Sequence, residues 1–323
     1  MKDCREEWFE KEKKVAVTIV DVTGAAQELA QGHLCGPTSA HYLAKALAAA
    51  ALLGSEMSEK DETLILQMKC KGPLGGFNVE CTSAGTLRGY TEKKILDDFD
   101  GMGKPKDKAV IGEAQYQVTR SVPGRILSQG ISNSLDGYLA GSLQRKACLY
   151  LEAAVSDEVE ILEARGVLVE ALPDSKIGSL GSKESEGVLG SEGSEGVLGN
   201  EESEGVLGSE GSDGVLGGEE SEGVLGSDRV RGSSGVNGPL GTLLDPKVPK
   251  NLQVASRNIL KQLGLEKAEL RKTTTLSFAC RCSPDRAVAM LAALSEEERK
   301  TLPPTVDITC HMCGKTFTVK TCA

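Results

Sequence analysis

Two close pairs of cysteines stand near the C-terminus: Cys280-Arg281-Cys282 and, 27 residues later, Cys310-His311-Met312-Cys313. Paired thiols far apart in sequence are how a chain builds a four-sulfur tetrahedron, each pair giving two corners. Soft thiolates in that arrangement select zinc, so Cys280, Cys282, Cys310 and Cys313 are the expected ligands of one zinc ion. His311 is a competing donor, but four sulfurs already fill such a site. Gly314 directly after the second pair can take an unusual backbone angle close to the ion. The first pair is tighter than usual. In a straight strand, residues two apart lie about 6–7 Å from each other, too far for two sulfurs on one ion, so the backbone is expected to bend at Arg281.

Such a cage has two main uses. One is a structural zinc ribbon that contacts RNA or DNA. Residues 250–323 carry 12 basic and 7 acidic side chains, a net of +5, which suits it mildly. Against it, Phe278 and Phe317 are the only aromatics in that stretch to stack on bases. The other use is a redox switch, because four thiolates are a concentrated target for oxidants. Residues 283–309 offer one helical stretch (285–294), a charged run (296–300) and Pro303-Pro304. That is too little apolar mass to stay folded alone, and structural zinc contributes about 10–16 kcal/mol to modules of this size. Oxidation to disulfides would expel the ion and melt the module. A thiol oxidoreductase is a third option, though a Cys-x-x-Cys at a metal turn is poorly placed for it.

The elements that position this module lie upstream. Strands are expected over 15–20, 63–68, 77–81, 87–90, 115–120, 148–155 and 159–172. Pro37 or Thr38 opens an Ala/Leu-rich helix that Gly54 stops, and 132–146 has helical spacing. Strand runs joined by tight turns, such as the one at 72–76, favour an α+β core over a doubly wound sheet. No Gly-x-Ser-x-Gly, P-loop or dinucleotide fingerprint is present, and no enzyme is expected. Cys35 lies between His33 and His41, but a small thiol at the start of an Ala-rich helix is packing. Cys4, Cys70, Cys81, Cys148 and Cys322 are read the same way.

Between the two regions the chain cycles with period nine. Ser-Glu-Gly-Val-Leu-Gly begins at Ser185, Ser194, Ser203 and Ser221, with Ser-Asp-Gly-Val-Leu-Gly at Ser212. Residues 183–228 hold one basic and 13 acidic side chains, more than accounting for the net charge of −10. Adjacent Val-Leu pairs point to opposite faces of a strand, so no continuous apolar face forms. Glycine and like-charge repulsion favour a disordered insert that acts as a tether. The acidic balance argues against coating nucleic acid or anionic membrane along the chain. No apolar run approaches the roughly 20 residues of a membrane span, and the charged N-terminus does not look like a signal peptide. Ten cysteines then suggest reduced thiols in a cytoplasmic protein.

With these motifs in place, the chain resembles the redox-regulated thirty-three-kilodalton heat-shock chaperone family, the zinc-containing bacterial holdases. The Cys-x-Cys, 27-residue spacer, Cys-x-x-Cys arrangement carries most of the likeness. Support comes from Gly32-His33 leading into Pro37-Thr38, from Leu64-Ile65-Leu66-Gln67 followed by Gly72-Pro73-Leu74-Gly75-Gly76, and from Gly166-Val167-Leu168-Val169. The resemblance fails over the acidic repeat, whose composition makes 176–244 a disordered insert; elsewhere it implies a substrate-binding α/β core (1–175), a helical linker (245–275) and a zinc-binding redox-switch domain (276–323). The insert occupies the start of the linker region, leaving 249–264 as the linker helix. The resemblance further implies zinc on the four thiolates when reduced, and disulfides Cys280–Cys282 and Cys310–Cys313 when oxidised. The switch and linker would then unfold and capture unfolding client proteins without ATP, with the activated protein forming a homodimer. Cys322, nine residues from Cys313, is the thiol best placed for off-pathway pairing.

Because the repeat has no core of its own, deleting residues 183–228 is expected to leave the circular-dichroism spectrum and metal content of the remainder unchanged. Loss of folding in that deletion would make the repeat structural.

Overall fold

The Ala/Leu-rich helix Pro37–Leu53 is apolar on every side, and a helix of that kind has to be wrapped. Every residue in it after Pro37 is buried. The rest of the α+β fold, described here from a computed structural model, is arranged around it. Residues 3–102, 106–144, 146–173, 175 and 252–321 are described. The acidic insert expected at 176–244 and Cys322 lie outside them.

In chain order, β1 (Cys4–Glu10) and β2 (Val15–Asp21) precede α1 (Thr23–His33) and α2 (Pro37–Leu53). There follow β3 (Thr63–Cys70), β4 (Gly76–Thr82), β5 (Thr86–Thr91), α3 (Asp107–Val110), β6 (Ala114–Val122), β7 (Arg125–Ser132), α4 (Leu135–Gly137), β8 (Lys146–Val155) and β9 (Ile161–Ala171). Beyond the insert come α5 (Leu252–Gln262), β10 (Glu269–Thr275), β11 (Ser277–Phe278), α6 (Pro284–Ala292), α7 (Glu296–Lys300), β12 (Thr305–Thr309) and β13 (Thr316–Lys320).

Two sheets enclose α2. The first runs β10-β1-β2-β9-β8 and is antiparallel throughout. The second runs β11-β5-β4-β3-β6-β7, with β11 parallel to β5. A small hairpin pairs β12 with β13. The helix touches β2, β8 and β9 of one sheet and β3, β4 and β5 of the other.

The first sheet is apolar on both faces, as the period-2 alternation of its central strands dictates. Val20, Ala164 and Leu168 join the core around α2. Val15, Val17, Ile19, Val167 and Val169 face the other way and form a second cluster with Trp8. Ile259, Leu260, Leu265 and Ala268, from α5 and the turn after it, complete that cluster. Gly264, at a φ of 67°, ends α5 in the left-handed conformation that favours glycine, while Leu265 N–H donates back to Leu260 O at 2.7 Å. Arg257 lies 5.5 Å over the Trp8 ring. One segment therefore covers an entire apolar sheet face.

Three expectations need correction. Residues 269–275, placed in a helical linker, form β10 against β1. Their Leu-Arg-Lys-Thr-Thr-Thr run suits an edge strand, and its pairing satisfies the backbone groups of β1. The helix expected at 132–146 shrinks to α4 and a π-helical turn at Tyr138–Ser142, because Gly137 and Gly141 interrupt it. Third, the core does not close within 1–175: β10 and β11 from beyond the insert complete its two sheets. No helix among the described residues is long and apolar enough to cross a membrane.

Candidate metal centre

The segment after β11 carries the first cysteine pair. Ser277 and Phe278 pair with Thr86 and Leu87 of β5, and Ala279 N–H donates to Leu87 O at 3.1 Å. The chain then leaves strand geometry, and 279–283 have no regular structure. That departure replaces the bend expected at Arg281 and brings the sulfurs of Cys280 and Cys282 closer than a straight strand would.

The second pair sits in the tight turn between β12 and β13. Cys310 N–H donates to Lys315 O at 2.9 Å, and Gly314 N–H donates to Cys310 O at 2.8 Å. Gly314 has a φ of 74°, and a Cβ there would collide with the carbonyl of Gly32, so this glycine serves both the turn and a close backbone approach.

The four sulfurs meet. All lie within 4.8 Å of one another, with Cys280 Sγ 3.7 Å from Cys310 Sγ and Cys282 Sγ 3.5 Å from Cys313 Sγ. Such a cluster can hold a metal ion, and it is the only group of metal-ligating side chains of that kind among the described residues. His311 packs edge-on against Tyr90, with ring centroids 5.7 Å apart, and is not one of the four.

Core residues seat the cluster. Gly89 N–H of β5 donates to Met312 O at 3.1 Å, and His33 Nε2 bonds Gly89 O at 2.9 Å. Glu80 of β4 receives Arg88 Nη2 at 2.5 Å and Arg281 Nη2 at 2.7 Å. Arg88 Nη1 reaches to 3.8 Å from Cys280 Sγ. Burial pushes the Cys280 thiol up, but the Cys282 backbone and donors including Arg88 bring it down to about 7. Burial raises Cys282 and Cys313.

The other described cysteines behave as packing. Burial lifts Cys4, Cys35 and Cys81 to about 11, and also raises Cys70 and Cys148, which disfavours thiolate chemistry. His33 is held by Gly89, and His41 packs edge-on against Tyr42. The ion pair of Arg281 with Glu80 had no local signal in the sequence, since the two are 201 residues apart, whereas Arg88 faces Glu80 across the β4–β5 hairpin.

The Hsp33 protein family model matches residues 7–204 and 239–320. The chain belongs to the Hsp33 family, a family of chaperones. It is similar to a 33 kDa chaperonin of Thermus thermophilus, at 25% identity over 93% of this chain and 79% of the relative. The 33 kDa chaperonin of Symbiobacterium thermophilum is 24% identical over 91% of this chain and 86% of its own. The crystal structure of the 33 kDa chaperonin from Thermotoga maritima shares the fold, with a TM-score of 0.66 at 15% identity over 99% of this chain and 96% of that one.

Purified under thiol protection, the chain is expected to carry about one divalent ion. The Cys313→Ser variant is expected to surrender it to a chromogenic chelator that leaves the parent loaded, while Cys81→Ser retains it. A fully loaded Cys313→Ser protein would remove that sulfur from the site.

Proposed function

We propose that the protein is a redox-activated, ATP-independent holdase that keeps unfolding and oxidatively damaged proteins from aggregating. One observation carries this reading: the covalent continuity between the cysteine cluster and the cover of the first sheet. Cys280 lies just past β11, β11 follows β10, and β10 follows α5 with its Ile259 and Leu260 in the apolar cluster of Trp8, Val17, Ile19, Val167 and Val169.

In the reduced state Cys280, Cys282, Cys310 and Cys313 would hold one zinc ion. With zinc–sulfur bonds of about 2.3 Å, a tetrahedron has sulfur–sulfur edges of about 3.8 Å. The separations of 3.7 and 3.5 Å fit that edge. Bound zinc supplies the cross-link that holds the two cysteine pairs together.

Peroxide is the matching oxidant. A cysteine sulfur attacks one peroxide oxygen, the O–O bond breaks, and the departing hydroxide takes a proton to become water. The neighbouring thiolate then displaces hydroxide from the sulfenic acid and closes the disulfide. For Cys280–Cys282 and Cys310–Cys313 together, four thiolates and two peroxides consume four protons, giving two disulfides and four waters. With the cross-link gone, the cysteine module and the segment of α5 and β10 that leads into it lose their anchor. The outer face of the first sheet is then free to take apolar segments of clients or to pair with a second copy. A reducing cytoplasm is the compartment that keeps such a switch closed.

Light scattering from a thermally unfolding client, in buffer without nucleotide, tests the proposal. Protein treated with peroxide at mild heat is expected to suppress aggregation, and reduced zinc-loaded protein to leave it unchanged. Equal suppression by both forms, or by neither, would contradict redox activation.

A further inference from the structure

Glu80 is buried on β4 and is shared by two guanidinium groups of different origin. Arg281 comes from between the two sulfurs of the first cysteine pair and donates to Oε1 at 2.7 Å. Arg88 comes from the neighbouring core strand β5 and donates from Nη2 to Oε2 at 2.5 Å. The second arm of Arg88, Nη1, is directed at Cys280 Sγ, 3.8 Å away. The Arg88 side chain is largely buried, at 16% exposure, whereas that of Arg281 is 56% exposed. One planar, two-armed cation therefore spans from a buried carboxylate of the core to a sulfur of the cysteine cluster. A lysine, a single point of charge, cannot serve both ends in the same way.

We propose that Arg88 is a positioning residue of the cysteine centre: it fixes Cys280 against the core sheet through Glu80 and shields that sulfur from peroxide. The inference deepens the redox-switch reading and rests on it. For a sulfur already held as thiolate, a charge-assisted N–H donor lowers its basicity and with it its intrinsic nucleophilicity. Donors of this kind outside the ligand set orient the ligands and tune the metal they hold. The same contact ties the module to the core, so undocking from β5 strips the donor from Cys280 and makes the sulfur more reactive as the module leaves. Arg88 then couples core and switch at the sulfur itself, beside the Arg281–Glu80 ion pair and the Gly89–Met312 hydrogen bond that also join them.

The test uses the full-length zinc-loaded chain and the variants Arg88→Met, Arg88→Lys and Arg281→Met. Arg88→Met keeps length and apolar stem but removes both donors. Arg281→Met removes only the other arm of the Glu80 fork. Peroxide-driven metal release is followed with a chromogenic chelator, and the reduced proteins are loaded with cobalt(II) for absorption spectra. Arg88→Met is expected to hold the metal at parent stoichiometry, to release it about three- to tenfold faster, and to shift the sulfur-to-cobalt charge-transfer bands. Arg281→Met is expected to stay within about twofold of the parent, with unshifted bands. Parent-like release and bands in Arg88→Met would overturn the proposal. Should the parent itself release no metal to peroxide, the redox-switch reading fails, while the cobalt bands still decide whether Arg88 acts on the sulfur. If Arg88→Met does not fold, Arg88→Lys decides: a shifted band with faster release supports the role, and parent-like behaviour overturns it.

Discussion

Four sulfurs within 4.8 Å of one another are a constraint that the local chain cannot sustain unaided. From Ala279 onward, only Ala287, Cys313 and Val319 are buried among the described residues, and one of those three is a proposed ligand. A module with so small an apolar interior gains little from the hydrophobic effect and needs a cross-link of another kind. The hairpin of β12 and β13 and the serine caps of α6 and α7 shape it, but helices of nine and five residues are marginal alone. Cohesion of the module therefore resides in the sulfurs.

What lies upstream is the reverse case. The helix α2, wrapped by two sheets, gives the core a large apolar interior that owes little to the cysteine centre. Its one weakness is the outer face of the first sheet. Val15, Val17, Ile19, Val167, Val169 and Trp8 would face water without α5 and the turn after it. Burying each large apolar side chain is worth about 1.5–3 kcal/mol, so this cover is held by a handful of contacts and not by a deep core. In the proposed function, the stable scaffold, the thin cover and an anchor made by the metal become the components of a switch whose closed state hides a binding face.

The centre was readable because metal chemistry is local in type and spacing: two thiol pairs state their purpose wherever they stand. The helix α2 and strands β2, β3, β4, β5, β6, β8 and β9 were readable because their apolar residues follow a clear period or run. β1 was not, since Cys-Arg-Glu-Glu-Trp-Phe-Glu looks like a charged segment. Its Arg5 and Glu6 are nonetheless buried, Arg5 donating to Ala51 O at 3.0 Å at the end of α2. α1 lacks a side-chain N-cap and contains Gly24 and Gly32; Asp3, just ahead of β1, caps it through the N–H groups of Gly24 and Ala25. β10 reads as linker in the sequence because an edge strand owes its existence to a partner far away in the chain. The Glu80, Arg88 and Arg281 fork was only half legible: Glu80 and Arg88 face each other across the β4–β5 hairpin, but Arg281 reaches them only through the parallel pairing of β11 with β5.

The protein has a single tryptophan, Trp8, and it is 4% exposed beneath α5 with Arg257 over its ring. Its emission therefore reports directly on whether the outer face of the first sheet is covered. Recording Trp8 fluorescence and metal release in the same sample after peroxide and mild heat joins the two ends of the mechanism. A red-shifted emission is expected, following metal loss and reversing with a thiol reductant and zinc. Metal loss with Trp8 emission unchanged would contradict the mechanism, because the anchor would then have gone without lifting the cover.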